Sequence, residues 1–263
     1  MNGIDPPRWG SGLRQVDGGA QSLVWEIGTP GAVRVVKVGD AVRLAHEART
    51  LTELGGTGLC PALVAVGDGV LVTDRLAGDP RPPETWALDD ARALGALVAR
   101  THETRTTPWR GLPEDAARQV SAADYLSARI DHVQSRRTSD IGELIDRALA
   151  HAPIPGFGDA VRLHGDLWSG NVVWCSEGPR LVDWEYSRQG ERAEELAYLA
   201  AMDDLTKPVL DAVFDGYGAD RDLRESVELW RPLMAIWSGL WFADHGDLDR
   251  CAQLLARAGT QMA

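Results

Sequence analysis

The sequence is poor in cysteine and carries no excess of basic residues. Its 263 residues include 3 cysteines, and 27 Lys and Arg residues stand against 39 Asp and Glu residues, for a formal net charge of −12. Cys60, Cys175 and Cys251 are far apart and form no C-x-x-C pair, so we expect reduced thiols and neither a disulfide framework nor a zinc site. A nucleic-acid backbone needs a basic face, and the acidic balance therefore argues against nucleic-acid binding.

Targeting signals, long apolar runs and internal repeats are also absent from the sequence. The first residues lack the charged and then apolar pattern of a secretory signal. The longest apolar stretch, near Leu233 to Ala243, is too short to span a bilayer. We therefore expect a cytoplasmic protein with no membrane partner. An apolar fraction of 44% and a charged fraction of 25% are ordinary for a globular chain of one large or two modest domains.

The most informative stretch is His-Gly-Asp-Leu-Trp-Ser-Gly-Asn over residues 164–171, which places Asp166 five residues before Asn171. Two β-rich runs follow, on either side of the turn residues 176–179, and they predict a hairpin. If the turn centres near Glu177-Gly178, antiparallel pairing puts Asp183 opposite Val172 and next to Asn171. Oxygen ligands gathered in this way suit Mg²⁺ carrying phosphates.

The order of these residues is typical of kinase-type phosphoryl transfer. In that chemistry Asp166 would accept or orient the hydroxyl of the substrate, and Asn171 and Asp183 would hold the metal that bridges the phosphates. Each residue alone is weak evidence, because an Asp in a loop is usually a turn residue and an Asn at the start of a strand is often a cap. Ordinary turn and capping roles are therefore the alternative.

The first third of the chain reads as strands and one helix. The strands are predicted over 13–16, 23–27, 32–38, 62–66 and 70–73, and the helix over 41–54. Alternation places Val33, Val35 and Lys37 on one face of a strand, and helical spacing places Glu47 on the inward face of the helix. An inward carboxylate is costly unless it is paired, so we predict a Lys37–Glu47 ion pair. A purely structural pair is the alternative to a role in binding phosphates.

The two motifs resemble those of the aminoglycoside phosphotransferase and choline kinase superfamily. Residues 164–171 match its HGDLxxxN signature, and Asp183-Trp184-Glu185 matches its DWE or DFE signature. The first motif also looks like the loop of fructosamine kinases, and the resemblance covers roughly residues 12 to 245. It implies an α+β fold of the two-lobed protein-kinase-like type. A small sheet-plus-helix lobe over 12–75 would bind nucleotide, and a larger, mainly helical lobe over 76–263 would hold the catalytic and acceptor sites.

The resemblance also implies ATP as the phosphoryl donor, with GTP as an alternative, and Mg²⁺ as cofactor. Lys37 would contact the phosphates and Glu47 would aim it. Gly19 and Ser22 would cover the phosphates from a loop over 18–22, for which a plain β-turn is the alternative because no standard glycine-rich motif is present. Asp74 to Pro80 loses periodicity and reads as the hinge between the lobes. The remaining nucleotide contacts would come from Val35, Thr73 and Leu76.

Helices are predicted after the hinge over 88–104, 125–134, 141–151, 191–202 and 222–243. The family usually has Asp-Leu-Ala in the helix predicted here over 191–202, where the Asp supports the catalytic loop. This chain has Glu195-Leu196-Ala197, and the extra methylene puts that support in question. No Ala-Pro-Glu motif follows, which argues against a protein kinase.

The acceptor is expected to be a small and cationic molecule. Trp230, Trp237 and Trp241 fall on one stripe of the last helix and could form an aromatic wall for an amine, although core packing explains the same spacing. The substrate candidates are Glu185, Asp203, Asp204, Trp237 and Trp241. The predicted function is an O-kinase for an aminoglycoside or amino sugar. A choline or ethanolamine kinase, a fructosamine-type kinase and a non-catalytic nucleotide-binding regulator are the alternatives.

Overall fold

The first part of the chain forms an antiparallel sheet in this computed structural model, which describes residues 13–16, 22–29, 32–104, 142–151 and 160–261. The sheet has the order β1-β2-β3-β5-β4. All five of these strands were predicted, with ends that differ by at most two residues. Their bounds are β1 (Leu13–Val16), β2 (Leu23–Thr29), β3 (Ala32–Val38), β4 (Leu63–Gly67) and β5 (Val70–Asp74).

Helix α1 (Ala41–Glu53) packs on one face of this sheet. The helix begins at Asp40, whose carboxylate accepts hydrogen bonds from the backbone N–H groups of Val42 at 2.9 Å and Arg43 at 3.0 Å. Leu44 and Leu51 of α1 share a buried cluster with Leu71 of β5. Leu71 pairs with Lys37 across the sheet, so Lys37 lies on the face that α1 covers.

The link between the two parts of the chain differs from the prediction. Residues 74–80 were expected to lack regular structure, but Gly78–Pro80 forms a short strand, β6, that pairs with the strand Val172–Cys175 of the second part. Glycine permits this approach, since a Cβ at Gly78 would overlap the carbonyl of Trp174. The partner strand lies almost a hundred residues away in sequence, and local periodicity carries no sign of it.

The second part of the chain is mainly helical, with two small sheets. β7 pairs with β10, and β6, β8 and β9 form a three-stranded sheet. The strands are β7 (Val161–Leu163), β8 (Val172–Cys175), β9 (Gly178–Leu181) and β10 (Arg188–Gly190). The helices are α2 (Leu88–Glu103), α3 (Gly142–His151), α4 (Arg192–Met202), α5 (Lys207–Tyr217), α6 (Arg221–Asp244) and α7 (Leu248–Gln261).

Four of the predicted helices correspond to α2, α3, α4 and α6, and their ends differ by one residue at most. The helix predicted over 125–134 lies outside the described residues. α5 was not predicted, although Pro208 in its first turn and Gly218 after its last residue are ordinary signals of helix ends. α7 was not predicted either.

The core of the second part lies where α4, α6 and α7 pack together and where α5 packs on α2. Trp184 and Trp230 are completely buried in it. Side chains of α4 form hydrogen bonds with the loop between β7 and β8, so this helix joins the loop to the helical core. The mixture of sheet and helices agrees with the predicted α+β class.

Two expectations about environment can be compared with the structure. Among the helices that are described, none has both the length and the hydropathy needed to cross a bilayer. Cys60, Cys175 and Cys251 are all free thiols, as expected, and burial raises the pKa of Cys60 to about 11.

Candidate active site

Lys37 lies at the centre of a cluster of charged side chains. Its Nζ is 2.7 Å and 2.9 Å from the two carboxylate oxygens of Glu47, and 2.7 Å from Oδ1 of Asp183. The predicted Lys37–Glu47 pair is therefore confirmed. Burial opposes the charge of Lys37, but the two carboxylates outweigh it and raise the pKa of the ammonium group. Burial likewise opposes the charge of Asp183, and Lys37 holds the pKa of that carboxyl below its usual value.

The hairpin that precedes Asp183 has a different register from the one predicted. Cys175 pairs with Gly178 and Val172 pairs with Leu181, so the turn is Ser176-Glu177. The expectation that Asp183 lies opposite Val172 is therefore wrong by two residues. Because side chains alternate between the two faces of a strand, a shift of two residues leaves each side chain on its predicted face. The backbone N–H of Val182 donates to the carbonyl of Asn171 at 3.0 Å, so Asp183 follows directly after a residue bonded to Asn171.

Asp166 and Asn171 are joined across their own loop. The amide Nδ2 of Asn171 donates to the backbone carbonyl of Asp166 at 2.8 Å and to its Oδ2 at 3.0 Å. The other carboxylate oxygen, Oδ1, accepts a 2.7 Å hydrogen bond from the hydroxyl of Tyr198 in α4. Burial raises the pKa of Asp166 overall, and the bond from Tyr198 opposes that shift. Sequence reasoning missed Tyr198, although it lies one helical turn after Glu195.

Glu195 holds the backbone of this loop. Its carboxylate accepts hydrogen bonds from the N–H groups of His164 at 3.1 Å and Gly165 at 2.7 Å, and it lies 3.0 Å from Nε2 of His102. Burial opposes the charge of this group, but these hydrogen bonds keep its pKa below the usual value. The question raised by the extra methylene is thus answered, because the longer side chain reaches the loop. Gly165 has a φ of 85°, and a Cβ there would overlap the carbonyl of Tyr186.

Asp203, a predicted acceptor residue, also contacts the loop. Its two carboxylate oxygens accept from the N–H and from the hydroxyl of Ser169, each at 2.7 Å. Burial raises the pKa of Asp203 to about 6 despite these two bonds. Support of the loop accounts for Asp203 without any acceptor contact. The neighbouring Asp204 is exposed and lies 3.4 Å from Nε of Arg257.

Two of the predicted nucleotide contacts, Val35 and Thr73, lie near Lys37. Val35 pairs with Thr73 across β3 and β5, on the sheet face that carries Lys37. Leu76 is buried just after β5. Ser22 directly precedes β2, whereas Gly19 lies outside the described residues.

Glu185 is a buried carboxylate two residues after Asp183. Its side chain makes no hydrogen bond within the described part of the chain, and only 8% of the residue is exposed. Burial and, secondarily, the charge of Asp183 raise its pKa to about 7. The charges of Lys37 and Arg43 oppose this shift only in part, and a buried carboxylate that makes no hydrogen bond within the described residues is costly, so a ligand that donates to Glu185 would remove that cost.

The tryptophan stripe of α6 is divided between core and surface. Trp230 is completely buried, which agrees with the packing alternative for that residue. Trp237 is partly buried against the core. The ring of Trp241 stacks on His245 at 3.9 Å between centroids, so His245 covers one of its faces.

Helix α1 is joined to the second part of the chain at several points. Nε2 of His46 lies 2.7 Å from the carbonyl oxygen of Ser187, and the N–H of Trp184 donates to Glu47 Oε1 at 3.3 Å. At the end of the helix, Glu53 forms an ion pair with the buried Arg162 of β7. These contacts place Glu47, and through it Lys37, in a fixed position relative to Asp183.

Comparison with known sequences gives one family and a group of related enzymes. A model of the phosphotransferase enzyme family matches residues 12–230. The thiamine kinase of Salmonella typhi is 33% identical over 165 residues, which cover 59% of this chain and 54% of that protein. The thiamine kinase of Salmonella newport is 32% identical over 162 residues, with the same coverage. The chain thus spans about half the length of these curated relatives.

Comparison with solved structures extends over nearly the whole chain. The aminoglycoside phosphotransferase APH(4)-Ia superposes with a TM-score of 0.77 at 14% identity, covering 96% of this chain and 93% of that one. A choline/ethanolamine kinase family protein from Mesorhizobium loti superposes with a TM-score of 0.73 at 22% identity, covering 96% and 88% of the two chains. The predicted fold, that of the protein-kinase-like small-molecule kinases, is therefore confirmed.

Proposed function

The chain belongs to the phosphotransferase enzyme family, and we propose on that basis that it is a small-molecule kinase, which transfers the γ-phosphoryl group of ATP to a hydroxyl group. The observation that carries the proposal is the double contact of Lys37, whose Nζ lies 2.7 Å from both Glu47 and Asp183. One cation thereby connects the first sheet, helix α1 and the segment after β9. Phosphoryl transfer requires a lysine that contacts the phosphates and a carboxylate that holds the metal ion, both directed at one site.

In this proposal the first part of the chain, over 12–75, binds the nucleotide. Lys37 contacts the phosphates, and Glu47 keeps the ammonium group directed at them. Val35, Thr73 and Leu76 border the base, and Gly19 and Ser22 cover the phosphates. The remaining residues, over 76–263, supply the catalytic loop and the acceptor site.

Asn171 and Asp183 are the residues that would hold Mg²⁺. The Nδ2 of Asn171 is directed at Asp166, an orientation assigned from the hydrogen bonds, and this leaves the amide oxygen for a cation. Lys37 contacts Oδ1 of Asp183, and Oδ2 makes no hydrogen bond within the described residues. The two oxygens suit a hard cation. When bound, Mg²⁺ would neutralise charge on the phosphates.

Asp166 is the residue proposed to act on the acceptor hydroxyl. An ionised carboxylate has roughly four acceptor positions, and the bonds from Asn171 and Tyr198 leave room for the hydroxyl. The acceptor oxygen bonds to the γ-phosphorus as the bond from that phosphorus to the bridging oxygen of ADP breaks, and the hydroxyl proton passes to Asp166. Positioning and charge neutralisation supply most of the rate enhancement in such a reaction.

For the acceptor we propose a small alcohol that carries a positive charge. The curated relatives described above are thiamine kinases, and thiamine combines a primary hydroxyl with a cationic ring. The net charge of −12 favours the approach of a cation, and Glu185 offers a buried carboxylate near Asp183. In this proposal the acceptor site is bordered, at a greater distance than Glu185, by Asp204, Trp237 and Trp241. Thiamine is thus the first candidate, followed by choline, ethanolamine, amino sugars and aminoglycosides.

A nucleotide consumption screen tests the proposal. The purified protein would be incubated with Mg²⁺ and either ATP or GTP, together with each candidate acceptor in turn. We expect acceptor-dependent release of the diphosphate with at least one cationic alcohol, and a product heavier by one phosphoryl group in mass spectrometry. Nucleotide that binds without turnover on the whole panel would point to a regulator and against the proposal.

A further inference from the structure

Tyr198 is a half-buried residue of α4 whose hydroxyl donates to Oδ1 of Asp166 at 2.7 Å. We propose that Tyr198 is a positioning residue, which fixes the direction in which Asp166 presents its carboxylate to the acceptor hydroxyl. The role rests on the proposed phosphoryl transfer and adds to it a residue that neither sequence motif contains.

The carboxylate of Asp166 is held at both of its oxygens. Tyr198 donates to Oδ1 at 2.7 Å, and Asn171 donates to Oδ2 at 3.0 Å. Two donors on opposite oxygens restrict rotation of the carboxylate about its Cβ–Cγ bond. Without the hydroxyl of Tyr198 the group keeps one donor and can turn, so the reacting oxygen would spend less time in line with the acceptor. Hydrogen bonds to a charged group are among the stronger ones in proteins.

Helix α4 holds the hydroxyl of Tyr198 in place relative to the loop. Glu195, three residues earlier, accepts from the N–H groups of His164 and Gly165. Asp203, just after the last residue of α4, accepts from Ser169. One helix therefore contacts the loop before and after Asp166, and Tyr198 lies between the two anchors with its ring packed against the core. The hydroxyl of Tyr198 is therefore held in a fixed position from which it can orient the carboxylate of Asp166.

The variant Tyr198→Phe separates positioning from packing, because it removes the hydroxyl and keeps the ring. We expect kcat to fall about tenfold, the scale of one hydrogen bond to a charged group, while the nucleotide KM stays within about twofold and the thermal midpoint is nearly unchanged. A fall in kcat that only follows a loss of folded protein would overturn the proposal. Wild-type kinetics in Tyr198→Phe would overturn it as well.

A double-mutant cycle with Asp166→Asn gives the sharper test. Asp166→Asn alone is expected to lower kcat by about a hundredfold, a typical loss for a general base. If Tyr198 acts through the Asp166 carboxylate, adding Tyr198→Phe to Asp166→Asn costs little more, because the group it directs is gone. Additive losses, about a thousandfold in the double variant, would show that Tyr198 acts elsewhere and would overturn the proposal.

Tyr217→Phe is the matched control. The hydroxyl of Tyr217 lies 2.8 Å from Nδ1 of His102, so this variant also removes a half-buried phenol hydroxyl with a hydrogen bond, but one that does not reach Asp166. Any loss of kcat in Tyr217→Phe is expected to add to the loss caused by Asp166→Asn.

Failure of the proposed function would be recognised separately, since a wild-type protein without acceptor-dependent turnover would overturn the phosphoryl transfer itself. An active wild type with an unaffected Tyr198→Phe variant would overturn the positioning role alone.

Discussion

Oδ1 of Asp183 lies 2.7 Å from Nζ of Lys37, so the carboxylate proposed to hold a metal already contacts a cation of the protein. Lys37 also contacts Glu47, so its ammonium group joins the buried carboxylate of Glu47 to the half-buried carboxylate of Asp183. A bound nucleotide brings negative phosphates and a divalent cation together. In the proposed function, the phosphates would pair with Lys37 and the divalent cation would pair with Asp183, so neither charge would be left without a counter-charge.

Substitution of Lys37 by Met should affect both stability and activity. Glu47 would keep a buried carboxylate without its counter-charge, and removal of one partner of such a pair costs about 3 kcal/mol. We expect a lower free energy of unfolding in urea and no measurable turnover. Arg34→Met is the control on the same strand, since Arg34 pairs with Asp74 at a more exposed position and exposed pairs contribute about 1 kcal/mol or less. Equal losses in the two variants would contradict a buried role for Lys37.

Substitution of Asp183 by Ala should abolish turnover and leave the protein folded. The Lys37–Glu47 pair survives in this variant, and Asp183 is proposed to contact ligand and not to form core. Circular dichroism and the thermal midpoint would report the fold, and a coupled diphosphate assay across a range of Mg²⁺ concentrations would report activity. Glu177→Ala, in the exposed turn of the same hairpin, is expected to be fully active. Wild-type rates in Asp183→Ala at limiting Mg²⁺ would remove Asp183 from the site.

Asp203 should contribute a pH dependence to stability. Burial raises its pKa from 3.8 to about 6 in the folded protein, so the folded state binds this proton more tightly than the unfolded state does. The stabilisation from Asp203 is therefore fully present below about pH 4 and is lost as the pH rises through about 6. The difference in free energy of unfolding between wild type and Asp203→Asn should change by on the order of 2 kcal/mol over this range.

Urea unfolding at half-unit pH steps would measure this difference. Asp204→Asn, at the exposed neighbouring position, is the control for loss of one acidic charge. If the free energies of unfolding of wild type and Asp203→Asn differ by the same amount from pH 4 to pH 6.5, the buried carboxyl of Asp203 does not have a raised pKa.

Recognition of the acceptor should weaken as ionic strength rises. The expectation follows from the net charge of −12, because salt screens the attraction between an acidic protein and a cation with a Debye length of about 8 Å at physiological ionic strength. We expect the acceptor KM to increase severalfold between low and high salt, with a smaller change in the nucleotide KM. A neutral analogue accepted as well as the cationic alcohol, without salt dependence, would indicate a neutral acceptor instead.

The elements whose signals are local were predictable from sequence. Strand β3 and helix α1 have clear periodicities, and the need to pair Lys37 and Glu47 fixed how they meet, as the 2.7 Å contact confirms. The family was also predicted from two short motifs, and the match over residues 12–230 confirms it.

Relationships set by tertiary packing were not predictable in this way. The pairing of β6 with β8 depends on a distant strand. The hairpin register depended on one turn residue, and its error of two residues came from placing the turn at Glu177-Gly178. Tyr198 and Asp203 were missed as loop contacts because a helix face shows which residues point inward, but does not identify the loop they meet.

The contacts of α1 determine how this chain could be recombined with its relatives. Helix α1 lies early in the sequence, yet His46, Glu47 and Glu53 contact Ser187, Trp184 and Arg162 of the second half. In a chimera that exchanges residues 12–75 alone, each of these three contacts would join residues from two different parents. The smallest unit that can be exchanged therefore includes the segments 161–163 and 181–188 together with the N-terminal sheet. A hybrid that takes all of these segments from one parent should retain the contacts of Lys37 with Glu47 and Asp183.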